Sequence, residues 1–117
     1  MEPADLTLDP AAIARLHKIG GEDLVRQMTQ LFLRNATRRL TAARAGFAQD
    51  DYERIAKSMH ALKASAGNIG ANRLGQMAIR AESMAEAQVT EALADLLDQM
   101  DAEFQQVRKA LEAGEVP

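Results

Sequence analysis

The chain has 117 residues, which is room for one domain with a real core and for no second one. It holds no cysteine, so disulfides, thiolate metal sites and cysteine nucleophiles are excluded. A net charge of −3 argues against nucleic-acid binding by phosphate neutralisation, and one Tyr, three Phe and no Trp leave no platform for stacking bases.

Ala, Leu and Met supply 42 residues against 14 β-branched ones, a ratio that favours helix because unbranched side chains lose little rotamer freedom there. Prolines stand only at positions 3, 10 and 117, so the stretch from Ala11 to Val116 can hold long helices. The first residues, Met1-Glu2-Pro3-Ala4-Asp5, are acidic with no apolar run behind them, unlike a secretory signal, and no stretch is long and apolar enough for a membrane span. We expect a soluble, cytoplasmic, all-α domain covering residues 1–117.

Five helical segments follow in order. Asp9 before Pro10 reads as an N-cap with proline at the first helical position, opening a short helix of about residues 10–18 that Gly20-Gly21 ends. The second segment, about 22–48, places Leu24, Met28, Phe32, Ala36, Leu40, Ala43 and Phe47 on one stripe, with Glu22 and Asp23 at the positive end of its dipole. Asp50 or Asp51 caps the third, about 51–68, whose stripe is Ile55, Met59, Leu62, Ala66 and Ile69, and Gly67-Asn68-Ile69-Gly70 reads as its stop. The fourth, about 71–87, carries Leu74, Met77, Ala78, Ala81, Met84 and Ala85. Thr90 and Glu91 start the fifth, about 91–113, with Leu93, Leu96, Leu97, Met100, Phe104, Val107 and Leu111, and Gly114 ends it. Four amphipathic helices with short connections predict an antiparallel four-helix bundle, with the short N-terminal helix capping one end.

Most chemical motifs are absent. Gly70 and Gly75 have the spacing of Walker A glycines, but Gln76 sits where lysine is required and no strand precedes them. Neither Glu-x-x-His nor His-Glu-x-x-His occurs, which removes the di-iron and zincin readings. Asn35-Ala36-Thr37 matches a glycosylation sequon by coincidence, given the missing export signal, and His17 beside Lys18 reads as incidental.

The third segment is different. At ~100° per residue His60 falls about 140° from the core stripe, and Ala56, Lys63, Ala64 and Gly67 share its outward strip. Long charged side chains are the ordinary choice for a solvated face, and glycine inside a helix costs up to about 1 kcal/mol relative to alanine. A bare strip around an exposed histidine therefore points to close approach by another protein. A neutral imidazole is a nucleophile that needs no separate base, and phosphorus is a suitable electrophile because Lys63 can hold phosphoryl oxygens. A surface histidine with a lysine at i+3 is also an ordinary feature of a helix, so the residues alone leave both readings open.

The run His60-Ala61-Leu62-Lys63-Ala64-Ser65-Ala66-Gly67-Asn68-Ile69-Gly70-Ala71 resembles the motif of histidine phosphotransfer (HPt) domains, roughly His-x-Leu-Lys-Gly-Ser-Ala-x-x-[Leu/Ile]-Gly-Ala. Leu31-Phe32-Leu33, Asp50-Asp51-Tyr52, Leu74 and Glu82 are similar to further family positions, so the resemblance spans about residues 10–110. It implies that His60 accepts a phosphoryl group on Nε2, that Lys63 stabilises the phosphoryl oxygens, and that Glu82 hydrogen-bonds Nδ1 and orients the ring. It also implies that Gly67 and Gly70 let a receiver domain sit against the helix and shape the turn after it; with Ala56 and Ala64 of the outward strip they are the expected docking positions. Ala64 departs from the family's usual glycine by one methyl group on that face.

The implied partners are the receiver domain of a hybrid histidine kinase, a response regulator, or both. The implied Mg²⁺ belongs to the receiver, so this chain is expected to need no cofactor or metal of its own and to lack autonomous kinase activity. Two alternatives stand beside this reading: the substrate domain of a longer kinase, and a helical adaptor that binds through the same face without phosphorylation. Met1 and the frayed-looking ends lead us to expect a free-standing protein, and a monomer is the default expectation.

Overall fold

The starts of the first two helices follow from a few local rules. In the computed structural model, which describes residues 2–114, a single 3-10 turn (Pro3–Asp5) leads into α1 (Pro10–Ala48), α2 (Tyr52–Ile69), α3 (Asn72–Glu86) and α4 (Thr90–Glu112). Met1 and residues 115–117, the ends of the expected 1–117 domain, lie outside the described residues. Asp9 caps α1 by accepting from the Ala11 N–H at 3.0 Å, with Pro10 at the first position, and Asp51 caps α2 by accepting from the Arg54 N–H at 3.1 Å.

The two expected N-terminal helices abut. Helix runs through Gly20, two residues past the expected end, and resumes directly after Gly21, whose φ of 69° and ψ of −164° redirect the chain. One glycine outside the helical region is enough to turn the axis, so no loop is needed. The α1–α2 and α3–α4 turns each use one non-glycine residue at positive φ, Asp50 at 56° and Gln88 at 57°.

The helices form an all-α bundle in which each packs on the next and α4 closes back on α1. The expected α2 stripe is buried throughout: Ile55, Met59, Leu62, Ala66 and Ile69 all lie in the core. Phe32 and Phe104 meet edge to face at 6.1 Å between α1 and α4, and the Arg108 guanidinium lies over the Phe104 ring at 5.1 Å. At the rims of the long stripes Leu24, Met28, Phe47, Met84 and Leu111 are only half-buried.

A charged contact also ties α1 to α4 nearer the surface. The Arg44 guanidinium donates to Asp98 at 2.5 Å and to Asp101 at 2.6 and 3.2 Å. Hydrogen bonds to Asp101 and then Asp98 raise its pKa above the ordinary arginine value.

The segment before α1 folds over the α2–α3 turn, as a cap on that end of the bundle. Asp9 N–H donates to the Gly70 carbonyl at 2.8 Å, Arg73 N–H to the Leu6 carbonyl at 2.9 Å, and the Asn72 amide to the Pro3 carbonyl at 2.8 Å. Gly70 itself is left-handed at φ 83°, and a Cβ there would come within 2.7 Å of the Ala12 Cβ and 3.0 Å of the Asp9 carbonyl. Gly70, expected among the docking positions, is therefore buried beneath the N-terminal segment. Its place is in the turn, and it cannot present itself to a partner while that segment covers it.

Candidate functional site

The α2 register that buries Met59 and Leu62 turns His60 outward, with 67% of its side chain exposed. Lys63, Ala64 and Gly67 are exposed on the same strip, and a Cβ built on Gly67 meets nothing within 4 Å. Ala56 is half-buried instead, because it lies toward α3.

A two-residue connection sends α3 back antiparallel along α2. Gly75 is buried where it faces Ala66, which would stand 3.6 Å from a Cβ at that position. The same register, continued two turns along, sets Glu82 opposite His60. Nδ1 of the ring lies 3.1 Å from Glu82 Oε2 and 3.4 Å from Oε1, and the Glu82 side chain is 24% exposed. A carboxylate accepts and does not donate, so Nδ1 carries the proton in this contact and donates it. The lone pair of the neutral ring is then on Nε2, on the side away from Glu82. This is the arrangement that orients an imidazole nucleophile.

Beside the ring runs an open groove of about 490 Å³ between the N-terminal half of α2 and the C-terminal half of α3. Tyr52, Ala56, Lys57, His60, Glu82 and Glu86 line it. At its far end the Tyr52 hydroxyl and the Thr90 hydroxyl are 3.0 Å apart, linking α2 to the start of α4.

On the other side of His60 the strip carries small residues, with two exposed apolar side chains at its edges. Leu31 of α1 and Ile79 of α3 are both exposed large hydrophobics. Leu31 shares a shallow hollow with Asn35, Ser65 and Asn68, which sets it beside Ala64 and Gly67. The α2–α3 register sets Ile79 across from Lys63. Sequence reasoning about the site missed Ile79, Lys57 and Glu86. For Ile79 a signal existed, since it is a large apolar residue outside the Met77–Ala78–Ala81 stripe, but its meaning needed the α2–α3 register.

Among the described residues no three of His, Cys, Asp and Glu stand together as a metal site, and no helix is long and apolar enough to cross a membrane. His17 is exposed on α1 before the Gly21 break, in a separate groove with Ile13, Val25 and Leu111. The structure thus brings His60 and Glu82 into contact, places Lys63, Ala64 and Gly67 on the open strip, and sets Gly70 apart.

Comparison with known proteins places the chain by family and by fold. The Hpt domain family model matches residues 27–110, well over half of the chain. Histidine-containing phosphotransfer protein B from Pseudomonas aeruginosa superposes with a TM-score of 0.87 at 22% identity, over 92% of this chain and 93% of that one. A rice protein, provisionally assigned as a histidine-containing phosphotransfer protein, superposes with a TM-score of 0.82 at 16% identity, over 91% of this chain and 79% of that one. Both likenesses are of fold. A search of curated proteins returned no match.

Proposed function

The chain belongs to the Hpt domain family, and on that premise we propose that it is a phosphocarrier with His60 as phosphoacceptor. A receiver domain carrying an aspartyl phosphate docks on the α2–α3 face. The Nε2 lone pair of His60 attacks phosphorus in line, the bond from phosphorus to the aspartate oxygen breaks, and the carboxylate leaves with that electron pair. The ring keeps its Nδ1 proton, and the positive charge it gains faces the Glu82 carboxylate. Lys63, one turn on, balances the phosphoryl oxygens. The reverse attack by an aspartate of a second receiver removes the group again.

The observation that carries this reading is the half-satisfied imidazole: one ring nitrogen is held by Glu82 at 3.1 Å and the other is open on an exposed, sparsely furnished strip. Ala56, Ala64 and Gly67 give the receiver close access to the helix, and Leu31 and Ile79 flank them with apolar area. The receiver would bring the Mg²⁺ that neutralises charge at the transferring group, held by its own carboxylates. The chain would work without kinase activity of its own, as a monomer in the cytoplasm. Positioning and charge stabilisation by the two proteins together would supply the rate.

The test is incubation with a panel of phosphorylated receiver domains and Mg²⁺. Acid-labile, base-stable label on the wild type and none on His60→Gln is the expected result. Tight binding to a receiver with no label on either protein would replace the phosphocarrier with an adaptor.

A further inference from the structure

Two lysines bracket His60 at equal spacing on α2: Lys63 three residues after it and Lys57 three residues before. At ~100° per residue they stand about 60° to either side of it. Their relation to the ring is unequal. A helical side chain leans toward the N-terminus of its helix, so the imidazole overlies the turn that holds Lys57. The open groove beside the ring is lined by Lys57 together with Glu53, Glu82 and Glu86, whereas Lys63 is not part of it.

Lys57 has a partner that can give it up. Its Nζ lies 3.0 Å from Glu53 Oε1, in an i,i+4 pair with side chains 76% and 78% exposed. A pair so fully in water is weak. A phosphoryl group on His60 carries more charge than one carboxylate and offers three strong acceptor oxygens.

We infer that Lys57 is a second phosphoryl-binding residue, held in reserve by Glu53 and transferred to the phosphoryl oxygens when His60 is modified. The inference rests on the phosphocarrier reading and adds a residue to it. In the loading step the Nε2 lone pair forms the N–P bond and the donor's leaving group departs with the electrons of the bond it held. That leaving group is a carboxylate from a receiver, or ammonia when phosphoramidate is the donor. Lys57 stays protonated throughout and changes only the anion it faces. Glu53 is left solvated.

Loading from phosphoramidate, followed as acid-labile label in the full chain, tests this without a receiver. Lys57→Gln is expected to slow loading about threefold to tenfold, the scale of one charge contact near a protein surface, and Lys57→Arg to stay within about twofold of wild type. Glu53→Gln is expected to speed loading about twofold to threefold, because it frees Lys57. The two substitutions to Gln break the same ion pair, so a purely structural role moves both rates in one direction. In the double variant Glu53→Gln/Lys57→Gln the gain from Glu53→Gln disappears. Equal rates, shifts of one sign, or a gain that persists in the double variant would overturn the assignment of Lys57. Absence of label on wild-type His60 would instead remove the phosphocarrier reading, and this inference with it.

Discussion

Two of the polar contacts that join helices in this bundle differ in what they leave over. On the α1–α4 seam Arg44, 39% exposed, meets two carboxylates, its Nε and Nη2 donating to Asp101 and Asp98. On the α2–α3 seam His60 meets one carboxylate through one nitrogen, and the second nitrogen faces outward. The first contact is a strut: one guanidinium is held between two carboxylates of the facing helix. The second leaves one ring nitrogen without a protein partner, and that is the atom the proposed phosphotransfer uses. Connecting two helices through charged groups is common to both, and an unused lone pair on a fixed ring is the difference that makes chemistry possible.

The largest expected effect is at the reactive end of that comparison. His60→Gln should abolish phosphorylation entirely and leave helix content and melting temperature unchanged, because His60 lies off the core. Unfolding of His60→Gln, seen by circular dichroism, would mean that the ring is part of the packing and that the contrast with Arg44 is false. Next, Glu82→Ala should slow phosphoramidate loading about tenfold, the equivalent of ~1.4 kcal/mol in charge stabilisation and ring orientation. Glu82→Gln should recover most of that loss, since its amide oxygen still accepts from Nδ1–H; no recovery would assign the effect of Glu82 to its charge alone.

Arg44→Ala probes the strut. It should lower stability by about 1 kcal/mol in denaturant titrations, less at high salt, and leave loading of His60 unchanged. The bonds to Asp101 and Asp98 raise the Arg44 pKa, so from neutral pH upward this contribution is fully present until the free guanidinium's range is reached, and on that side it is lost only in strong alkali. A fall in the contribution of Arg44 between pH 6 and 9, read as the wild-type minus Arg44→Ala stability difference, would contradict that. The smallest effect is on the bare strip. Gly67→Ala should raise stability by about 0.5–1 kcal/mol, because nothing opposes a Cβ there and glycine is a poor helix former. The bulkier Gly67→Gln should raise KM for a receiver donor; an unchanged KM would place docking elsewhere.

Much of this was legible in the sequence because it depends on local rules. Asp9-Pro10 and Asp51 announce helix starts through capping chemistry, and the spacing of Ile55, Met59, Leu62 and Ala66 both builds α2 and turns His60 outward. Glu82 was reachable through the family resemblance, and its distance from Nδ1 follows from the tight turn at Gly70 that sets the antiparallel register. What sequence reasoning did not reach depends on tertiary neighbours. Nothing local says that Pro3 to Asp9 folds back over the α2–α3 turn, so Gly70 looked available when it is covered. Ala56 looked outward by angle alone, and the proximity of α3 half-buries it. Ile79 and Lys57 acquire meaning only from what stands across from them: Lys63 in the first case, and the groove beside the imidazole in the second.

The most direct test of the central claim is where phosphorus bonds. Protein labelled with ¹⁵N at histidine, loaded from phosphoramidate and examined by ¹⁵N and ³¹P NMR, reports both ring nitrogens of His60 and of His17 at once. The account predicts phosphorus on Nε2 of His60, a proton retained on Nδ1, and His17 unmodified. Phosphorus on Nδ1 of His60, or on His17, would contradict it.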